Sequence, residues 1–389
     1  MAKKRLGDIC DVVTGSTPKT NIDEYWDGDI KWITPAELTE DTYILEDSVR
    51  KITELAVQKT GLSPFPKGTV ILSSRAPIGK VVIAGCEMYC NQGFKNLICT
   101  DEIYNEYLYW FLKGKKEFLN SLGRGATFKE ISKTIVENIE IELPSIAVQK
   151  EIAQKLQKCN EIIRLRKCEL QELDNLIKSR FVEMFGDPNI EFKFPTGKFK
   201  EYASNMTKGP FGSDMKKDLY VPKGEDTYKV YIQINAIQKN QNLGDYYISK
   251  EYFDQKISRF EVHPGDYIIT CDGTLGKLIK LDENMERGVI SPSLLRLKID
   301  ENMMTDKYFE YIWEMYMLPL MKKEARNACL VHLPSAKVIG EVEIPVPPID
   351  LQNEFLDFVT QVDKLKFEVQ KSLDETQTLM DSLMQQYFG

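Results

Sequence analysis

The sequence predicts an α+β protein: two tandem, related blocks of mixed helix and strand, residues 1–143 and 187–346, each followed by one long helix, residues 144–186 and 347–389. Three observations carry this. The stretch 144–186 (PSIAVQKEIAQKL to SRFVEMFG) has one proline, at its start, and one glycine, at its end, with apolar residues three and four apart between them, the pattern of a heptad seam. The stretch 347–389 repeats it without a gap at an offset of 203, matching Pro144 to Pro347, Gln149 to Gln352, Phe185 to Phe388 and Gly186 to Gly389. Residues 65–83 (FPKGTVILSSRAPIGKVVI) align with 262–280 (VHPGDYIITCDGTLGKLIK) at an offset of 197, so the duplication reaches into the blocks.

The first block opens on a turn-rich run of Gly15, Ser16, Thr17, Pro18 and Lys19, followed by Trp26 and Trp32. Hydroxyls, a lysine and backbone amides in one loop suit phosphate contacts, and the indoles are read as bracing that loop. Residues 65–83 read as a turn, a β-rich strand, a polar loop from Ser73 to Pro77, a turn at Gly79 and Lys80, and a second strand. A helical patch at 104–112 (YNEYLYWFL) is answered by 306–313 (DKYFEYIW) at an offset near 201. The central helix carries its seam at Ile152, Leu156, Cys159 and Ile163 and, after a slip at Arg166, at Leu170, Leu173, Ile177, Phe181 and Met184.

In the second block Gly276 and Lys277 answer Gly79 and Lys80, and the final helix answers the first with Phe355, Val359, Val362, Val369, Leu373, Met380, Met384 and Tyr387. Two such stripes need partners. Residues 145–186 carry a net +2 and residues 348–389 a net −5, so the helices favour each other over self-pairing. Offsets that drift from 197 to 203 imply related folds with loops of different length. Such an arrangement reads two different things with one design.

Composition narrows the class. With 389 residues, 42% hydrophobic and 28% charged, the chain is long enough for two or three globular cores. No run of about eighteen apolar residues occurs and the start, MAKKRLGDICDVV, lacks a secretory core, so a cytoplasmic protein without a membrane segment is expected. A net charge of −8 argues against non-specific coating of nucleic acid, though not against a local basic face. Eight scattered cysteines, with Cys86 and Cys90 the nearest to a half-site, and the isolated His263 and His332 point to reduced, buried thiols and no metal.

Catalytic signatures are missing. No phosphate-binding Gly-x-x-x-x-Gly-Lys-Ser/Thr or dinucleotide loop occurs, nor the Asn/Asp-Pro-Pro-Tyr/Phe motif of amino-methyltransferases, and Asp187, Glu191 and Lys193 stand too close together for a nuclease triad. A solitary methyltransferase is therefore disfavoured.

The run of LGDI, GSTPKT and EYWDGDIKWITPAEL, then KGTVILSSRAPIGK, LPSIAVQKEIAQKL, GPFGSDMKK, PGDYIITCDGTLGK and PPIDLQNEF resembles the DNA specificity subunits of type I restriction-modification systems over nearly the whole chain. The resemblance implies that each block is a target-recognition domain gripping one half of a bipartite double-stranded DNA site. It implies that the two helices pack antiparallel as a spacer, giving a pseudo-two-fold internal repeat. It further implies no catalysis and no cofactor in this chain. The resemblance implies as partners two methyltransferase (modification) subunits that bring S-adenosylmethionine, and restriction/translocase subunits that join them. A helix of about 40 residues spans roughly 60 Å, the scale of half-sites one to two DNA turns apart at about 34 Å per turn.

Loop position, polarity and repeat alignment nominate the DNA-contacting residues. In the first block they are Thr17, Lys19, Thr20, Lys31, Ser74, Arg75, Lys80, Asn91, Gln92 and Lys95. In the second they are Lys208, Ser213, Lys216, Lys217, Gln233, Asn235, Lys239, Asp272, Thr274, Lys277, Ser291 and Arg296. Arg75 suits a guanine edge and Asp272 a cytosine edge. A coiled-coil protein-interaction scaffold without DNA recognition is the alternative; it predicts loops without such polar and cationic clusters.

Overall fold

Two helices of 40 residues, Ile146–Phe185 and Ile349–Phe388, run through a chain that divides into two compact units. The computed structural model describes residues 2–39, 42–124, 129–187, 190–233, 245–327 and 332–389. The first unit holds residues 1–170 and 368–389, the second residues 171–367. Each unit thus contains one block and part of each helix, and the boundaries fall inside the helices rather than at their ends.

The main sheet of the first unit is built from β1 (Cys10–Thr14), β2 (Ile44–Leu45), β3 (Val70–Ser73), β4 (Val81–Ala84) and β5 (Phe94–Cys99), in the order β1-β5-β3-β4-β2. In the second unit β6 (Ala203–Lys208), β7 (Tyr267–Thr270), β8 (Leu278–Lys280) and β9 (Leu294–Ile299) take the order β6-β9-β7-β8. All pairings among these two four-strand sets are antiparallel. Position for position, β1-β5-β3-β4 and β6-β9-β7-β8 are the same sheet. The β-branched runs at 69–71 and 81–83 supply strands whose every residue is buried, as a sheet covered on both faces requires.

A second small sheet repeats as well. Trp26–Ile33 pairs antiparallel with Arg50–Ile52 and parallel with Tyr89–Cys90; Thr227–Tyr231 pairs antiparallel with Tyr246–Ser249 and parallel with Gly288–Ile290. Behind the main sheets lie the expected helices, Asn105–Gly114 and Asp306–Ile312.

The long helices pack antiparallel. In the first unit Ile152, Leu156, Cys159 and Ile163, from the start of the central helix, share a core with Leu373, Met380, Met384, Tyr387 and Phe388, from the end of the final one. In the second, Leu173, Ile177, Phe181 and Phe185 pack with Phe355, Val359 and Val362. Val369 is buried, while Leu170, Leu173 and Leu373 are half-buried, so every seam position points inward. Lys366 to Asp174 (2.6 Å) and Arg180 to Glu354 (2.8 Å) join the two helices across the second unit, the pairing that their opposite net charges favour.

Each block is gripped by the start of one helix and the end of the other. Gln149, fully buried, accepts from Tyr104 N (2.7 Å) and donates to the carbonyls of Glu102 and Pro144. Gln352 does the same with Thr305 N (2.7 Å) and the carbonyls of Met303 and Pro347. At the other end Phe388 rests on Tyr107 (centroids 5.2 Å apart) and Phe185 on Tyr308 (4.9 Å). Gly186 has φ +96 and lies against the returning backbone of Glu191 and Phe192, which only a residue without Cβ accommodates.

The seven described cysteines are unbridged. The expectation that the thiols are buried holds for Cys10, Cys90, Cys159 and Cys271. Cys86 and Cys99 are half-buried and Cys168 is exposed, the last because it lies off the helix seam. Among the described residues no helix is long and apolar enough to cross a membrane, and no cluster of three metal-ligating side chains occurs.

Candidate nucleic-acid interface

At one end of each main sheet four segments meet, and they meet in the same way twice. The first is a glycine-led loop. The amide of Ser16 donates to Cys90 O (2.9 Å) and that of Gly209 to Leu294 O (2.9 Å). A Cβ on Gly15 would collide with the carbonyl of Cys90, and one on Gly209 with that of Ser291. The second is the turn before β5 or β9, whose carbonyls at Gly93 and Ser293 accept from Ser74 N and Cys271 N, both at 2.8 Å.

The third is the polar loop after β3 or β7. Ser73 Oγ donates to Pro77 O and accepts from Lys80 N (2.9 Å); Thr270 Oγ1 donates to Thr274 O and accepts from Lys277 N (3.0 Å). Gly79 and Gly276, at φ +91 and +79, close the two turns. One hydroxyl therefore pins a loop that leaves its middle residues free to vary. The fourth segment returns after the helices: Ile131 N bonds Ser74 O and Leu333 N bonds Cys271 O, both at 2.9 Å. This sets Glu130 opposite Arg75 and His332 opposite Asp272.

The side chains brought together are these. In the first unit Thr17 Oγ1 donates to Gln92 Oε1 (2.6 Å), Asn91 Oδ1 caps Gly93 N (2.9 Å), and Arg75 Nε meets Glu130 Oε2 (2.9 Å). Lys19 and Thr20 are exposed on the first loop. Trp32 Nε1 donates to Ser16 O (3.0 Å) and Trp26 Nε1 to Lys19 O (3.3 Å), so both indoles do brace the loop. In the second unit Asp272 Oδ1 lies 2.7 Å from His332 Nδ1, Gln233 lies beside Gly273, and Thr274 and Lys277 are exposed. Ser213, Lys216 and Lys217 are exposed on the 209–217 loop, while Lys208 is half-buried and its charge reaches the Cys271 thiol, which burial pushes up to about 12.

Several nominated side chains turn inward. Ser74 and Lys95 are buried, with Lys95 Nζ 3.1 Å from Ser74 Oγ and 3.4 Å from Glu130. Burial holds the Lys95 ammonium below its ordinary range against the pull of Glu130. Ser291 is buried against Ser293 (3.0 Å), and Arg296, 8% exposed, lies near Asp266 and donates to Arg259 O. These four support the loops from beneath. Lys80 Nζ is spent on Leu38 O (2.5 Å), and Lys31 Nζ on Glu46 O (2.5 Å) near Cys86, beyond the far end of β4. Asn235 and Lys239 lie outside the described residues.

Glu130 and His332 were not nominated from sequence. The signal that finds them is the capped helix just after each: Ser132 Oγ accepts from Ile135 N and Ser335 Oγ from Val338 N. SKTIVENIEI and SAKVIGEVEI align there at the same offset of 203 as the long helices.

A family model described as the type I restriction modification DNA specificity domain matches residues 1–175 and again 213–376. The type I restriction enzyme MjaIX specificity subunit of Methanocaldococcus jannaschii is 38% identical over 239 residues, 61% of this chain and 53% of that protein; the chain spans about half the length of this curated relative. The S subunit of a type I restriction-modification system from M. genitalium has a similar fold, at 15% identity and a TM-score of 0.56, over 100% of this chain and 96% of that one. A chain from a structure addressing complex assembly and conformational transition of the type I R-M system matches at 15% identity and a TM-score of 0.63, over 100% of this chain and 97% of that one.

Proposed function

The chain belongs to the family of type I restriction-modification DNA specificity subunits, and from that premise we propose that it reads a bipartite site in double-stranded DNA, one half with each unit. As a family member it is a non-catalytic component. The observation that carries the proposal is the repeated meeting of four segments at one end of the main sheet, with polar and cationic side chains exposed on the variable parts and the same hydrogen bonds holding the frame beneath. A rigid frame with exchangeable loops suits base readout, while exposed lysines such as Lys19, Lys216, Lys217 and Lys277 suit phosphate positioning.

Two methyltransferase subunits, bringing S-adenosylmethionine, dock on the chain, and restriction subunits join them; this chain binds no cofactor itself. The paired helices, continuous through both units, set the length of the unread spacer. Exposed cations and hydroxyls on both loop clusters favour this reading over a protein-interaction scaffold. The test is to assemble the chain with its methyltransferase subunits and map methylated bases across a genome. A single two-part motif is expected, and exchanging residues 1–143 for those of a relative should change one part only. A motif without two parts, or both parts altered by the exchange, refutes the assignment of one half to each unit.

A further inference from the structure

We propose that the two cross-loop pairs, Arg75 with Glu130 and His332 with Asp272, are the base-reading positions of their units, the carboxylate in each case being the positioning residue. The inference rests on the DNA-reading function above and adds which side chain meets the base edge and what it recognises.

The repeat puts the pairs in equivalent places. Each bridges the loop after β3 or β7 to the returning segment, one residue beyond a backbone bond from that segment to the loop. Their chemistry is reversed: the loop residue is the cation in one unit and the anion in the other. Arg75 is held through Nε alone, so among the described residues its terminal nitrogens have no partner, and its side chain is 43% exposed. Glu130 is fixed from behind by Lys95, which is 4% exposed. A guanidinium anchored at Nε presents its outer N–H groups in a plane, the geometry that fits O6 and N7 of guanine.

In the second unit a carboxylate only accepts hydrogen bonds, so the 2.7 Å contact with Asp272 places the imidazole proton on Nδ1. Of the two neutral tautomers the contact selects the one whose Nε2 carries a lone pair, on a side chain that is 57% exposed. That acceptor matches the exocyclic amino group of adenine or cytosine in the major groove. One unit thus presents donors and the other an acceptor from the same frame.

The test uses the whole complex with its methyltransferase subunits and the genome of the expressing cell as probe. Methylation is mapped for the wild type and for R75A, H332A, H332Q and D272A. We expect R75A to relax one guanine-bearing pair in one half-site, with a loss of discrimination of about five- to 150-fold. H332A should relax one pair in the other half-site, and D272A, which leaves the ring in place but unpositioned, should relax that same pair. The untouched half-site keeps its sequence in every case. An unaltered motif in R75A or H332A overturns the proposal. So does methylation reduced evenly over the unchanged wild-type motif in both H332A and H332Q, which would make the pair a structural clasp. A wild-type complex that yields no motif would instead remove the DNA-reading function itself.

Discussion

Replacing Gln149 by leucine tests how the blocks are held. The glutamine is fully buried and makes three hydrogen bonds, at 2.7, 3.1 and 2.9 Å. Leucine fills nearly the same volume, so the main loss is polar. At about 1 kcal/mol net for each bond the loss is roughly 3 kcal/mol, more if the Tyr104 N–H stays dry. Burying the extra apolar surface returns about 1 kcal/mol. The expected destabilisation is about 2–3 kcal/mol, which for a unit of about 190 residues lowers Tm by roughly 4–12 °C. Gln352→Leu should cost the second unit the same, because its three bonds match in partners and length. Denaturant melts give the magnitude, and hydrogen exchange shows which unit loosens. The two losses should add, since the sites share no partner. Changes below about 1 kcal/mol for both variants would mean that water replaces the missing bonds and that the glutamines do not clamp the helix starts.

Other consequences can be measured in the same preparations. Replacing Lys216 and Lys217 with alanine should flatten the log-log salt dependence of DNA binding by about 0.9 for each phosphate that is no longer neutralised while the recognised sequence stays the same; an altered sequence with an unchanged slope would assign them to readout. Hydrogen bonding from Lys198 and then Lys200 holds the Glu341 carboxyl down to about 2, from an ordinary 4.5. Its folded pKa is depressed, so its stabilisation is present above about pH 5 and is lost as pH falls toward 2; Glu341→Gln should remove that part of the acid sensitivity, and a rise in salt should shrink it because the group is exposed. Gly276→Ala should destabilise more than Gly79→Ala. Both sit at positive φ, but the added methyl collides with Leu318 in the first case and meets only the flexible Lys116 at 3.1 Å in the second, a difference of about 1–3 kcal/mol by overpacking that equal melting temperatures would refute.

The duplication was legible because both helices keep one offset over 43 residues, and periodicity alone placed their seams. Strand order was not legible. β1 pairs with β5 some 85 residues away, Cys10 lying opposite Cys99, and no local pattern carries that register. The second small sheet escaped for the same reason, since Trp32 pairs with Tyr89. The glutamine match was visible, but its meaning was not, because two of the three groups each one bonds lie 45 to 49 residues away. In the candidate site, loop position, polarity and repeat alignment nominate Lys95 and Arg296. Both fall within strands that are largely buried, Phe94–Cys99 and Leu294–Ile299. A cation inside an apolar strand run faces a neighbouring layer rather than solvent and needs an internal acid, which Glu130 and Asp266 supply.

The acidic net charge constrains how such a chain holds DNA. Of the formal −8, a net −5 lies on residues 348–389, the final helix, whereas the exposed loop cations stand at the sheet ends. Exposed charges more than about 8–10 Å apart at physiological salt are largely screened from one another, so each loop cation acts mainly on groups close to it. Long-range steering by this chain is therefore weak, and its attraction to the duplex is confined to groups that touch it. If the chain reads DNA as proposed, it contributes discrimination more than affinity, and tight binding then draws on basic surface of the proposed methyltransferase subunits. On that argument, DNA retained by the isolated chain should dissociate at low salt, while the assembled complex should hold the same duplex with the same preference at higher salt.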